Sequence, residues 1–251
     1  MADNKGANLA PFLVLTQKQT AGRGRAGRKW ESEDDGLYFS IYLRPSVTID
    51  KAAMLTLVMA VAVAKALQRY IAIQEQTCKQ ATDGCESSLQ ILQTLGIKWP
   101  NDLVLNGKKI VGILTELRTD DRGYGVVIGV GVNTNQKTFP EELQDKATSL
   151  KREMGIPILG EVLLKYIEEI FLQEYTTFEK EGNLVFLKET YETLLINKDK
   201  VVRVLDPKGE YQGVAKGIDE VGQLLVETQD KEVQKVYAGE VSVRGLYGYV
   251  D

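Results

Sequence analysis

The sequence predicts an α+β fold, with strands and helices in one main unit and a small all-β barrel after it. Three observations carry this. Short strand-like runs broken by tight turns recur along the chain, a long Ala-rich segment without glycine or proline interrupts them, and from about Lys198 the texture changes to short strands alone.

"FLVLTQ" reads as a buried strand and "LYFSIYL" as a second one, alternating and aromatic-rich. Between them "AGRGRAGRKW", Ala21 to Trp30, sets three glycines among the four cations Arg23, Arg25, Arg28 and Lys29, where no regular element is expected. The stretch from Ala52 to Tyr70 reads as a buried helix, because it is Ala-rich and lacks both helix breakers. A polar insert, Gln74 to Gln90, follows it. "LGIKWPNDLVLNGKKIVGILTELR" and "GYGVVIGVGVNTN" then read as several strands separated by the tight turns "PND" and "NGK". "GEVLLKYIEEIFLQEYTTFEKEG" carries apolar residues at helical spacing, and "NLVFLKETYETLL" adds a further helix. Beyond Lys198, "DPKGE", "DEVG" and "TQDKE" separate short strands, the pattern of a barrel of about fifty residues. A unit this small is expected to lean on the main one. The expected division is therefore 1–197 and 198–251.

Composition narrows the function. The chain of 251 residues is 43% hydrophobic and 26% charged, ordinary values for a globule with a real core. Its formal net charge of −4 argues against general affinity for nucleic acid, which needs a broad basic surface. The Arg-rich loop is a local exception in an acidic protein. The start does not resemble a signal peptide, and the longest apolar run, "AAMLTLVMAVAVA", is shorter than the roughly 20 residues of a membrane span. A cytoplasmic protein without a membrane partner is expected. The absence of histidine removes Ser-His and Cys-His nucleophiles, histidine proton shuttles and most catalytic zinc sites, so no protein metal site is expected. Cys78 and Cys85, in the polar insert, read as free thiols, with a disulfide or a metal site as the alternatives.

Chemistry must then run on Lys, Arg, Asp, Glu and backbone groups. In the Gly/Arg loop, guanidinium groups beside open backbone N–H groups would make a receptor for phosphate or carboxylate. A solvated loop and an RNA-binding Arg/Gly tract are the other readings, and the missing "GKS" or "GKT" ending closes the P-loop route. Asp102 beside the Pro-Asn turn and Lys109 at the next strand's start are each commonly structural or solvated. They become a site only if they converge. "GVGVNTN" adds glycines that let a ligand approach the backbone, and Asn133 as a polar reader.

In this order, "QTAGRGRAGRKW", "KWPNDL", "KIVGILTEL" and "GVGVNTN" closely resemble the signature blocks of biotin protein ligases, from about Phe12 to Asn135. "GEVSVRG" is similar to the last strands of that family's SH3-like barrel. The resemblance implies a mixed β-sheet catalytic domain of the biotin/lipoate ligase type with an SH3-like C-terminal β-barrel. It implies ATP- and Mg²⁺-dependent activation of biotin to biotinyl-5'-AMP, then transfer to a lysine of the biotin carboxyl carrier protein of acetyl-CoA carboxylase. By the same resemblance, Arg23 and Arg25 face carboxylate and phosphate, while Gly22 and Gly24 permit backbone contact. Gln19 partners the ureido ring and Trp30 provides an apolar wall. Lys109 meets the biotin carbonyl and α-phosphate, and Asp102 either orients the adenylate or receives the acceptor amine. Gly112, Gly129 and Gly131 line the pocket floor, with Asn133 reaching towards the nucleotide.

The pattern is departed from in places. The family opens its catalytic domain on a Ser-Thr-Asn segment that touches biotin, whereas "MADNKGANLAPFLVL" reads as the end of the helix after it, so that segment is expected to be missing. The insert at Gln74 to Gln90 is longer than the pattern and has no assigned role. No N-terminal helix-turn-helix is expected, hence no specific DNA binding. An exposed sheet edge could pair two catalytic domains into a homodimer. Lipoate ligases lack the Gly/Arg block, and the intact Lys109, Asp102 and Arg25 favour an enzyme over a catalytically dead binding module.

Overall fold

The main unit is organised by one six-stranded sheet. In the computed structural model, which describes residues 11–32, 34–81, 94–206, 209–238 and 242–245, its strands are β1 (Phe12–Thr16), β2 (Leu37–Leu43), β3 (Gly96–Lys98), β4 (Asp102–Leu105), β5 (Lys108–Asp120) and β6 (Gly123–Val132). Their order is β1-β2-β6-β5-β4-β3, and the ladders are antiparallel. Parallel pairing enters as isolated bridges, Ile97 with Leu195 and Lys109 with Ala147. The "NGK" turn joins β4 to β5 through Asn106 and Gly107, both at positive φ, as a two-residue hairpin whose twist matches its strands requires.

The ladder between β4 and β5 shifts register between Leu103 and Val104. That shift has a consequence for the site. Lys109 and Gly112 are three residues apart, a spacing that sends them to opposite faces of a regular strand. The bulge brings both onto the same face.

Behind the sheet lies α1 (Leu55–Ala81), entered through a 3₁₀ turn at Ile49–Met54. Residues 57–64 are buried all round, which small Ala and Val side chains allow against two neighbours at once. α1 packs on α3 (Gly160–Glu181) and touches α4 (Val185–Leu194), with the short α2 (Leu150–Met154) before them. The helix runs eleven residues beyond Tyr70 and takes in Gln74–Ala81, the first half of the predicted polar insert. Those residues contain no glycine or proline, and Gln, Glu, Lys and Ala are all good helix formers. Cys78 falls on that last part of α1, and Cys85 lies outside the described residues.

A second sheet follows, with β7 (Val201–Leu205), β8 (Tyr211–Ile218), β9 (Leu224–Glu227), β10 (Val233–Val236) and β11 (Ser242–Gly245) in the order β10-β9-β8-β7-β11. The turns at "DEVG" and "TQDKE" fall where the sequence predicts them, and the centre of "DPKGE" lies outside the described residues. The expected barrel is not closed: among the described residues β10 and β11 remain open edges, because neither pairs with the other.

This sheet is docked on the main unit by directional contacts. Trp99 Nε1 donates to the Gly222 carbonyl at 3.0 Å, Leu184 N to the Glu220 carbonyl at 2.8 Å, and Ile218 N to Glu192 Oε1 at 3.2 Å. Gly222 holds φ at +81°, and a Cβ there would strike Leu57 and Leu184, so the turn needs glycine twice over. Trp99→Phe should leave the Gly222 carbonyl unpaired in a buried contact, costing about 1–3 kcal/mol. Urea unfolding would show it as a lowered midpoint; an unchanged midpoint would mean that this contact does not hold the sheets together.

Candidate functional site

Two turns and two strands converge on a cavity of about 330 Å³ between the sheet, the Gly/Arg loop and the end of β7. Backbone hydrogen bonds fold the Gly/Arg loop on itself. Gly24 N donates to Arg28 O at 2.7 Å, Trp30 N to Gly22 O at 3.0 Å, and Arg23 bridges to Lys29. A 3₁₀ turn at Arg25–Gly27 makes the bend, with Ala26 and Gly27 at positive φ.

The loop's repulsion is relieved by partners from elsewhere in the chain. Arg23 Nη2 donates to Glu116 Oε2 on β5 at 2.7 Å. Arg25 Nη1 donates to Asn101 Oδ1 at 3.0 Å, and its Nη2 donates to the Ala238 carbonyl beyond β10. Burial lowers the Arg25 pKa from its ordinary value, and the charge on Asp102 opposes that shift. Asn101 is itself clamped to β5: its Nδ2 donates to Ile113 O at 2.8 Å while Ile113 N donates to its carbonyl at 3.1 Å. Behind this turn the Tyr191 hydroxyl, pushed well up in pKa by burial, donates to Pro100 O at 3.2 Å.

Across the floor, Lys109 Nζ lies 2.6 Å from Asp102 Oδ1, with the side chains 24% and 18% exposed. The same ammonium stands 5.1 Å from the Trp30 ring centroid, within cation–π range. The indole lies against bare backbone. A Cβ on Gly112 would come within 2.5 Å of Trp30 Cζ3, and one on Gly131 within 2.6 Å of Cε2. Gly22 is crowded by Trp30 O, Gln19 Oε1 and Ser32 Oγ, and the Ser32 hydroxyl donates to Gln19 Oε1 at 2.7 Å.

Most of the predicted site residues therefore meet. Arg23, Gly24, Arg25 and Trp30 from the loop line the cavity, as does Gln19 before it; so do Asp102, Lys109, Gly112, Gly129 and Gly131 from the sheet. Gly129 needs no bareness for packing, since a Cβ there would find ordinary distances. Two predicted residues stand apart. Gly22 supports the loop from behind, as its contacts show. Asn133 is buried and does not reach into the cavity: its Nδ2 donates to Thr148 O at 3.0 Å and Lys109 O at 3.5 Å, tying the end of β6 to its neighbours.

Sequence reading missed Asn101, Glu116, Leu205 and Ala238. Asn101 and Glu116 lie inside the quoted blocks "KWPNDL" and "KIVGILTEL", and their place in those blocks is the available signal. Leu205 and Ala238 gave none, since their place depends on the docking of the second sheet. Five basic side chains and one carboxylate, Asp102, line the cavity, so its field favours an anion beside an apolar wall.

Residues 3–133 match the biotin/lipoate A/B protein ligase family, and residues 199–244 match the biotin protein ligase C terminal domain. The bifunctional ligase/repressor BirA of Bacillus subtilis is 37% identical over 242 residues, covering 94% of this chain and 68% of that protein. The biotin–[acetyl-CoA-carboxylase] ligase of Mycobacterium tuberculosis is 29% identical over 241 residues, covering 94% of this chain and 80% of that one. Among solved structures, biotin protein ligase from Aquifex aeolicus in complex with biotin and ATP superposes with a TM-score of 0.78 at 28% identity, covering 96% of this chain and 92% of that one.

The glycine floor can be tested directly. Gly131→Ala should expel the Trp30 indole, red-shifting tryptophan emission, because the second tryptophan, Trp99, stays 2% exposed. Unchanged emission would mean that Trp30 does not rest on Gly131.

Proposed function

The chain belongs to the biotin/lipoate A/B protein ligase family, and from that membership we propose how its cavity activates biotin with ATP and passes it to a protein lysine. In the first step a biotin carboxylate oxygen attacks the α-phosphorus of ATP. A mixed anhydride, biotinyl-5'-AMP, forms as the bond to the β-phosphate oxygen breaks and pyrophosphate leaves. In the second step the lysine amine attacks the acyl carbon, AMP departs with the C–O bond's electrons, and the amine gives up a proton to leave an amide. The carrier domain of a biotin-dependent carboxylase is the acceptor this reading implies.

The observation that carries the reading is the convergence of the four sequence blocks on one cationic, glycine-floored cavity. Bringing two anions together and releasing a third makes the demand mainly electrostatic, and preorganised cations in a site screened from water meet it. Lys109 is the group we assign to the biotin carboxylate and α-phosphate, with Asp102 fixing its ammonium. Arg25, held between Asn101 and Ala238, is a cation fixed at the cavity's wall. Trp30 and the bare strands at Gly112 and Gly131 offer the apolar surface for the biotin rings. Mg²⁺ enters as part of the nucleotide substrate.

We read 1–197 as the biotin- and ATP-binding unit and 198–251 as the smaller domain, which lines the cavity with Leu205 and holds Arg25 through the Ala238 carbonyl. For assembly we propose pairing through β1, an edge strand whose Phe12, Val14 and Leu15 are exposed. No described helix is long and apolar enough to cross a membrane.

With MgATP and biotin the protein should label one lysine of a carboxylase carrier domain, and lipoate should not replace biotin. Faster lipoyl transfer would overturn the substrate assignment. Lys109→Ala should lower adenylate formation by about two orders of magnitude, the scale for losing one preorganised donor. An active variant would move the essential cation elsewhere. At a net charge of −4, gel shifts at low salt should show only weak, salt-sensitive DNA retention, and a sequence-specific footprint would contradict this.

A further inference from the structure

The turn that leads to Asp102 is gripped from behind. Trp99, Pro100 and Asn101 join β3 to β4, and each is held by a different group. Trp99 N donates to Asn197 Oδ1 at 3.2 Å, the Tyr191 hydroxyl donates to the Pro100 carbonyl at 3.2 Å, and Ile113 N donates to the Asn101 carbonyl at 3.1 Å. The first two grips come from one segment. It begins on the last turn of α4 and runs on beside β3, where Leu195 bridges Ile97 and Ile196 N donates to the Ile97 carbonyl at 3.0 Å. Neither Tyr191 nor Asn197 lines the cavity, so both act on it only through the turn. Tyr191 is fully buried, and a hydroxyl withdrawn from water is costly unless it is bonded. A phenylalanine would fill nearly the same space without that cost. Burial holds the Tyr191 pKa well above its ordinary value, with Arg25 opposing the shift and Asp102 adding to it, so the hydroxyl stays a donor at neutral pH.

We propose that Tyr191 is a positioning residue for adenylate formation: its hydroxyl fixes the Pro100 carbonyl and so sets where the Asp102 carboxylate stands against Lys109. The two halves of that ion pair are held differently. Lys109 is clamped by backbone on its own strand, its N donating to the Lys146 carbonyl at 2.8 Å and its carbonyl accepting Thr148 N at 3.0 Å. Asp102 is the first residue of β4, so its place depends on the turn before it. Pro100 has no N–H with which to lock that turn from within, and its carbonyl is left to an outside donor. Without the hydroxyl, a buried carbonyl loses its partner and the turn shifts to recover one. An ion pair at 2.6 Å leaves little room for such a shift. Misplacing a reacting group by about 1 Å costs about a hundredfold in rate, so a smaller displacement of Asp102 should cost about tenfold.

The proposal rests on the reading of the cavity as a biotin-adenylating site, and its test separates the two. Biotin-dependent exchange of labelled pyrophosphate into ATP is measured well below each Tm. The proteins are the wild-type chain, Tyr191→Phe, Leu187→Val, Asp102→Ala, and Tyr191→Phe combined with Asp102→Ala. Tyr191→Phe should lower kcat about tenfold and leave the apparent KM for biotin and for ATP within about twofold, the split expected when a transition-state contact is lost. Leu187→Val removes one methylene from the buried face of the same helix, a turn before Tyr191. It should lower the Tm and leave kcat unchanged. In the Asp102→Ala background, Tyr191→Phe should cost nothing further. If Tyr191 only packs, its Phe variant will follow Leu187→Val, a lowered Tm at unchanged kcat, and that pattern overturns the proposal. A tenfold loss that persists without Asp102 overturns it as well, because the hydroxyl would then act by another route. Absence of biotin-dependent exchange by the wild-type chain overturns the assigned function and this proposal with it.

Discussion

The ion pair between Lys109 and Asp102 is the contact on which the rest of the site depends. An ammonium and a carboxylate 2.6 Å apart on adjacent strands, each largely withdrawn from water, must be bought by fixed geometry, since desolvation consumes much of their attraction. The fold supplies that geometry locally. The Asn106–Gly107 turn sets the β4–β5 register, and the bulge turns Lys109 onto the face of Gly112. Trp30 then closes over both, its ring under the ammonium and its edge against two strands that carry no side chain there. A cation aimed into an apolar-walled space suits a reaction whose charge grows at phosphorus and whose intermediate must be kept from water.

The Gly/Arg loop solves a different problem. Four cations in a short segment repel, and the structure gives its arginines partners from distant parts of the chain: Glu116 on β5 for Arg23, and the Asn101 amide oxygen with the Ala238 carbonyl for Arg25. The Ala238 contact makes the small sheet part of the site. The same sheet grips Trp99 through Gly222, directly before the turn that carries Asn101 and Asp102. A displacement of the second sheet would therefore reach Arg25 and the "PND" turn together.

Much of this was legible in the sequence wherever the cause is local. The "NGK" hairpin could be read because positive φ at two successive positions selects Asn and Gly. The glycine at 131 reads from the sequence as a place where a ligand approaches the backbone, and the resemblance puts Gly112 beside it on the pocket floor, but that the Trp30 indole packs against both is visible only in the structure. The sequence places the helix end too early, because polarity reads there as a break, while Gln74–Ala81 carries good helix propensity with no breaker. Asn133 reads from the sequence as reaching towards a nucleotide, whereas in the structure its buried amide nitrogen donates to the Thr148 and Lys109 carbonyls. The openness of the C-terminal sheet, and the reach of Ala238 to Arg25, depend on how separate elements dock. No short-range pattern encodes that.

The central claim is that Lys109 and Asp102 act as one unit in forming the adenylate. A double-mutant cycle with Lys109→Ala, Asp102→Ala and the pair, each assayed by biotin-dependent exchange of labelled pyrophosphate into ATP, measures it most directly. The account predicts strong non-additivity, with the double variant about as impaired as the worse single one. Independent losses that multiply, with each single variant folded as the wild type, would contradict it.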